Sequence, residues 1–148
     1  MIKIEKKIIS QKIKKPIEEV MAVKQLERPE VASGKTYKIK TPIHSAAIYI
    51  TINSVEEEGI IRPFEVFITT KAVEIFQFMQ VLGLTLTALL RMNQDITFLL
   101  EEYKTIQDPN GFYWGSSKTF TGKKESYNSL IANIADVILY HLKQEVMR

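Results

Sequence analysis

An alternating strand that runs directly into a helix-length apolar segment leaves a chain few ways to fold, and residues 62–92 are such a stretch. Phe64, Val66 and Ile68 alternate with Glu65, Phe67 and Thr69, giving one wholly apolar strand face and one that mixes polar groups with an aromatic. The pattern predicts a central strand. After it, Val73, Phe76, Met79, Val81, Leu82, Leu84, Leu86, Leu89, Leu90 and Met92 leave no polar stripe wider than Gln77, Gln80, Thr85 and Thr87. Such a segment predicts a helix buried on most of its surface. The rest of the chain is expected to pack on this strand and helix.

At 148 residues the chain has the size of one ordinary domain, able to bury a core without metal or disulfide support. There is no cysteine, which removes disulfides, thiolate metal sites and thiol nucleophiles together. That composition suits a reducing compartment, and a cytoplasmic location is expected. The longest apolar run, residues 81–90, is interrupted by Gly83, Thr85 and Thr87 and falls short of the roughly 18 residues a membrane span needs. The charged start, Met1-Ile2-Lys3-Ile4-Glu5-Lys6-Lys7, is unlike a secretory signal. Net charge is +3 but unevenly placed: residues 1–40 hold eleven Lys or Arg against five Glu, and the remainder is net negative. A basic front end attracts nucleic acid, nucleotides or acidic partners, although scattered lysines also serve solubility alone.

In chain order, residues 1–27 read as a basic arm and linker, and residues 28–148 as the domain. Ile2, Ile4, Ile8 and Ile9 suggest a short strand or docking arm, Pro16 ends it, and residues 17–25 allow a short helix. Tyr37 and Ile39 alternate with Lys38 and Lys40, predicting a half-buried strand with a basic outer face. Residues 47–53 predict a second strand, rich in β-branched and aromatic residues, and residues 54–59 a solvated hairpin loop. Beyond the apolar helix, Asp95 is placed to cap a helix over residues 96–106. Asp108-Pro109-Asn110-Gly111 is a turn signal opening a long irregular segment that continues to Tyr127. In the last helix Leu130, Ile134, Val137, Ile138 and Leu142 form one apolar stripe. Three antiparallel strands in meander order, with helices on one face, make an α+β fold.

Catalytic parts are scarce. His44 lies in a turn and His141 near the end of the last helix, each reading as structural or simply exposed, and their separation gives no metal-ligand spacing. Glu101 and Glu102 diverge on a helix. No serine elbow, phosphate loop or dinucleotide fingerprint is present. Binding parts are better supplied. Residues 108–124 combine glycines, the hydroxyls of Ser116 and Ser117, the charges of Lys118, Lys123 and Lys124, and Tyr113 with Trp114 for stacking. The competing reading is an ordered loop whose aromatics only anchor it. Arg62 is a further ligand candidate, or else a partner for Glu56, Glu57 and Glu58, and Lys38 with Lys40 supply a basic strand face.

Arg28-Pro29-Glu30-Val31, Gly34-x-Thr36-Tyr37-Lys38-Ile39-Lys40-Thr41-Pro42, Tyr49-Ile50-Thr51-Ile52-Asn53 and Arg62-Pro63-Phe64-Glu65-Val66-Phe67-Ile68 resemble the TSCPD domain family. That family is best known as the C-terminal domain of adenosylcobalamin-dependent ribonucleotide reductases and also occurs as small free-standing bacterial and phage proteins. The likeness spans residues 26–142. In the free-standing branch it extends through Asp95-Ile96-Thr97-Phe98-Leu99, Asp108-Pro109-x-Gly111-x-Tyr113 and Ser129-Leu130. Where the family has Ser-Cys-Pro-Asp before the last helix, this chain has Ser129-Leu130-Ile131-Ala132, so no thiol or metal role carries over. The resemblance implies an accessory or binding role without catalysis and without a cofactor. Three functions are therefore expected as alternatives: binding or sequestration of a nucleotide-type ligand, as in a phage-type sponge for a signalling nucleotide; an interaction module for a reductase or replication protein; and single-stranded nucleic-acid binding through the basic arm. No membrane association is expected, and a homo-oligomer is allowed.

Overall fold

The computed structural model describes residues 25–116 and 122–146. Most of the basic arm, with its expected strand and helix, lies outside the described residues. The order is β1 (Ser33–Ile39), β2 (Ile48–Glu57), β3 (Ile60–Thr70), α1 (Phe76–Arg91), α2 (Thr97–Tyr103), β4 (Tyr113–Ser116), β5 (Lys124–Tyr127) and α3 (Leu130–Val146). The first three strands pair antiparallel in chain order, and β4 pairs with β5 as a separate hairpin. One face of the larger sheet carries Ile39, Ile48, Ile50, Ile52, Val66 and Ile68, all buried against the three helices. The opposite face, with Thr36, Lys38, Tyr49 and Phe67, is exposed. This is the expected α+β arrangement.

The residues 62–92 unit sits differently from its expected place. β2 is the central strand and β3 is an outer one. Pro63 agrees with that position, because a residue without an N–H cannot serve an interior ladder. The open edge of β3 is covered by α1. Thr87 Oγ1 accepts the Val66 N–H at 2.9 Å and donates to the Val66 carbonyl at 3.0 Å, so one hydroxyl satisfies both edge groups of that residue. Gly83 permits the approach, since a Cβ there would stand 3.0 Å from the Val66 carbonyl oxygen.

Consequently α1 buries one stripe, Met79, Gly83, Leu86, Thr87 and Leu90. Phe78, Val81 and Leu84 on its other side remain 61%, 61% and 66% exposed. The helix buried nearly all round is α3, in which every residue from Ala132 to Leu139 is buried. Periodicity detects an amphipathic stripe, but a strongly apolar segment offers no contrast from which to locate its covered side.

Two strand boundaries also move. The hairpin loop expected over residues 54–59 contracts to a two-residue turn at Glu58 and Gly59, with φ of 52° and 78°. Positive φ at both positions matches the turn whose twist suits a right-handed hairpin. The register then shifts: Asn53 faces Glu65 but Ser54 faces Pro63, leaving Phe64 as an extra, bulged residue. The bulge takes Phe64 out of the alternation expected for Phe64, Val66 and Ile68. Phe64 lies beneath the Arg91 guanidinium, 5.8 Å from carbon to ring centre. Glu65, expected on the polar outer face, is completely buried. Its carboxylate accepts from Arg28 Nε and Arg91 Nη2, each at 3.1 Å, and from Asn53 Nδ2 at 2.7 Å.

Downstream, α2 is shorter than the expected 96–106 and its N-cap is Ile96, with no side-chain cap, so Asp95 stands one position before the expected capping place, where its Oδ1 accepts the Thr97 N–H at 2.9 Å. That hydrogen bond holds the Asp95 carboxyl below its ordinary pKa. The segment expected to be irregular up to Tyr127 contains the β4–β5 hairpin.

Candidate functional site

Local chemistry builds the hairpin. Asp108 accepts the Asn110 N–H through Oδ1 at 2.8 Å and the Gly111 N–H through its carbonyl at 2.9 Å, while Gly111 takes a φ of 98°. The Asp108 N–H donates to the Asn128 carbonyl at 2.9 Å, closing the base of the hairpin. Strand alternation then sorts the side chains. Tyr113, Gly115 and Tyr127 are buried, whereas Trp114, Ser116, Lys124 and Ser126 are exposed. The Tyr113 and Tyr127 rings meet at 6.0 Å between centres. Asn133 Nδ2, from the buried α3, donates to the Tyr113 hydroxyl at 2.8 Å. Tyr127 donates to the Ser116 carbonyl at 3.0 Å.

Outside this anchored face lies a groove of about 550 Å³ lined by Trp114, Lys124, Tyr127 and Asn128 of the hairpin region and by Lys104 and Asp136 of the helices. Trp114 is 60% exposed. Lys104 Nζ stands 3.5 Å from Asp136 Oδ1 and 3.7 Å from Glu101 Oε2. Burial raises the Tyr113 hydroxyl to a pKa of about 12, partly opposed by the Asn133 hydrogen bond. Burial is also the main cause of the rise at Tyr127, reinforced by the negative charges of Asp136 and Glu125. Both phenols are therefore neutral hydrogen-bonding groups at ordinary pH.

The expected site residues divide. Trp114 and Lys124 come together in the groove. Ser116 and Lys123 are exposed on the same hairpin region, and Ser117 and Lys118 lie outside the described residues. Tyr113 is 4% exposed, so its ring anchors the hairpin and offers no stacking face. Lys38 stands on the open sheet face, 6.0 Å over the Tyr49 ring, away from the face α3 covers, and Lys40 is exposed just beyond the same strand. Arg62 donates to Asn93 Oδ1 at 3.3 Å. The structure does not bring these three basic residues to the hairpin groove. Lys104, which does line it, carried no sequence signal beyond a charge on a helix.

Neither histidine is a plain surface residue. His44 Nδ1 lies 2.8 Å from Glu74 Oε1. The Glu74 carboxyl is held below its ordinary pKa by backbone hydrogen bonding first and by His44 second. His141 is buried, with Nδ1 2.8 Å from the Tyr37 hydroxyl and Nε2 3.1 Å from Glu145 Oε1. The i,i+4 spacing of His141 and Glu145 was visible in the sequence; the long-range contact with Tyr37 was not. Among the described residues, no group of three or more His, Asp or Glu is placed to hold a metal ion, and no helix is long and apolar enough to cross a membrane.

The fold and its grooves define a small α+β protein in which a three-stranded meander is backed by helices and a tyrosine-anchored hairpin rides on the last of them. The family model for the TSCPD domain matches residues 12–145, and the chain belongs to that family, which is associated with ribonucleotide reductases. The match begins inside the basic arm and extends beyond the stretch in which the motifs were recognised. No curated protein and no solved structure matches the chain.

Proposed function

We propose that this protein is a non-catalytic binder of a nucleotide-type ligand, with the base stacked on Trp114 and the phosphates drawn to Lys104 and Lys124. The observation that carries the reading is the 60% exposure of the sole tryptophan in a groove whose charged lining is Lys104 and Lys124 together with Glu125 and Asp136. An exposed indole has an apolar cost in water that a stacked base relieves, at about 1–3 kcal/mol per base. Among the described residues the groove presents no paired nucleophile and base, which favours retention of the ligand over turnover and suits sequestration of a signalling nucleotide.

Because Trp114 is the chain's only tryptophan, its fluorescence reports the site directly. Titration with ATP, ADP-ribose and cyclic mononucleotides should give saturable quenching for at least one class. Trp114→Ala, followed by calorimetry with that ligand, should lose roughly five- to 150-fold in affinity. Silence across the panel overturns the reading. Recovery of intact ligand after denaturing the complex distinguishes sequestration from hydrolysis. A second reading, an accessory module for a reductase or replication protein, is favoured by the family's association with ribonucleotide reductases. It predicts co-purification with that enzyme and no nucleotide-dependent quenching. The nucleic-acid reading rests on the basic arm and predicts that removal of residues 1–25 abolishes a steeply salt-dependent affinity for single strands.

A further inference from the structure

The outward side of α1 has an unusual composition for a helix at a protein surface. From Phe76 to Leu90 the helix contains no charged residue, and Arg91 is its first. A helix half in water ordinarily sets charges opposite its buried stripe, as α2 does with Glu101 and Glu102. On α1 the stripe opposite Met79, Leu86 and Leu90 consists of Val81, Leu84 and Ala88, flanked by Phe78, with Val73 exposed just ahead of the helix.

Packing of the single chain does not account for these side chains. The buried stripe already closes the β3 edge, while Phe78, Val81 and Leu84 stand 61%, 61% and 66% exposed and Val73 86%. Lone apolar residues at a surface are ordinary. These four with Ala88, however, offer on the order of 500 Å² of mainly apolar surface, which is about as large a patch as a monomeric protein presents and commonly marks an interaction site.

The chemistry of the stripe fits a second copy of the same chain. Across a twofold axis a surface meets itself, so a charged face has to confront its own charge. An apolar stripe free of charge avoids that repulsion, whereas recognition of a different protein gains its specificity from charged groups that this stripe lacks. With 16 residues α1 is about 24 Å long. An antiparallel pair therefore overlays one stripe on the other along its whole length and sets the two helix dipoles in opposition. The two copies together remove on the order of 1,000 Å² from water, the lower limit for a specific interface, which makes the pairing reversible.

We propose that the outward face of α1 is the twofold interface of a reversible homodimer in which the two α1 helices run antiparallel. Dilute chains are single, and their fold does not depend on the pairing. Sedimentation equilibrium of the full chain should show monomer giving way to dimer, with a dissociation constant on the order of 100 μM. Leu84→Lys brings like charges together and should weaken the association at least about tenfold, with circular dichroism and the unfolding of the dilute chain unchanged. The chain has no cysteine, so a single introduced thiol can pair only with that of another copy. Among Val81→Cys, Thr85→Cys and Ala88→Cys, the variant nearest the axis should oxidise to a covalent dimer at least about tenfold faster than Glu102→Cys on α2. A chain that stays monomeric even at millimolar concentration, undiminished association in Leu84→Lys, or no acceleration in any of the three cysteine variants overturns the proposal. If residues 1–24 or a different protein occupy the face instead, the full chain stays monomeric and the proposal falls with that result. None of these readouts involves Trp114, so the nucleotide titration stands or falls separately.

Discussion

A carboxylate with no exposed surface persists in a protein interior because donors surround it, and Glu65 has three of them. Glu65→Ala strands the Arg91 and Arg28 guanidiniums around an empty position. We expect a loss of about 3–5 kcal/mol, measured by urea denaturation. Its burial was misread from sequence for a definite reason. Its face follows the alternation, since the register from Glu65 to Ile68 is unbroken and the bulge displaces Phe64 alone; what the strand pattern cannot show is that Arg28, Arg91 and Asn53 close over that carboxylate. A second prediction at this scale concerns alkaline pH. Tyr113 has its ordinary pKa of 10 in the unfolded chain and about 12 in the fold. Folding therefore keeps a proton that the unfolded chain releases. The stabilisation from the neutral phenol is complete below pH 10 and declines as pH rises to about 12. Tyr113→Phe should flatten that part of the stability profile, read by denaturant titration across the alkaline range. That Tyr113 is an anchor and Trp114 the exposed partner was implicit in strand alternation, but only once the segment is known to be a hairpin.

Among the elements, α1 was legible as a helix and illegible as to its place. Its apolar residues run round every side, so neither its covered stripe nor its role along the β3 edge follows from the pattern. Two substitutions test the observed packing. Gly83→Ala brings a methyl group to 3.0 Å from the Val66 carbonyl oxygen and should cost about 1–3 kcal/mol as helix and strand are pushed apart. Thr87→Val keeps the shape but leaves both backbone groups of Val66 without their partner, at about 1–3 kcal/mol for each group left unsatisfied. Thr87→Ser should retain most of the stability. By contrast Leu84→Gln on the exposed side should change it by no more than about 0.5 kcal/mol. Thermal and chemical denaturation of the four variants would show whether the helix packs by this stripe. The hairpin was missed because Gly115, Gly122 and many hydroxyls look like loop composition, while the tyrosine pair that fixes it depends on Asn133 of a later helix.

The whole molecule is arranged around α3. Ala132 and Asp136 line the hairpin groove, and His141 and Glu145, with Glu56 of β2, line a second groove at the sheet end. From Asp136 to Glu145 the helix rises about 14 Å, so the two grooves are separate enough to behave independently. Stability changes from Trp114→Ala and Glu56→Gln should accordingly add within about 0.5 kcal/mol in the double variant. At this scale the sequence was most informative: the meander, the helical backing and the family were all readable from ordered motifs spread over most of the chain. The grooves were not, since each is assembled from segments far apart in the chain. Lys38, Lys40 and Arg62 looked like neighbours of the hairpin only while the position of the sheet faces was unknown.

The sealing of β3 by Thr87 and Gly83 also bears on how the protein resists self-templated fibre growth. Of the two outer strands of the larger sheet, one is closed by a helix, and the other, β1, carries Lys35 and Lys38 along its length with Lys40 just beyond it. Charged edges of that kind discourage a second chain from adding as a further strand. The vulnerable moment is thus the transient lifting of α1, which would uncover an edge bearing Phe64, Val66, Phe67 and Ile68. Variants that loosen α1 should seed amyloid-type aggregates under conditions in which the parent chain stays dispersed, a difference that thioflavin fluorescence can follow.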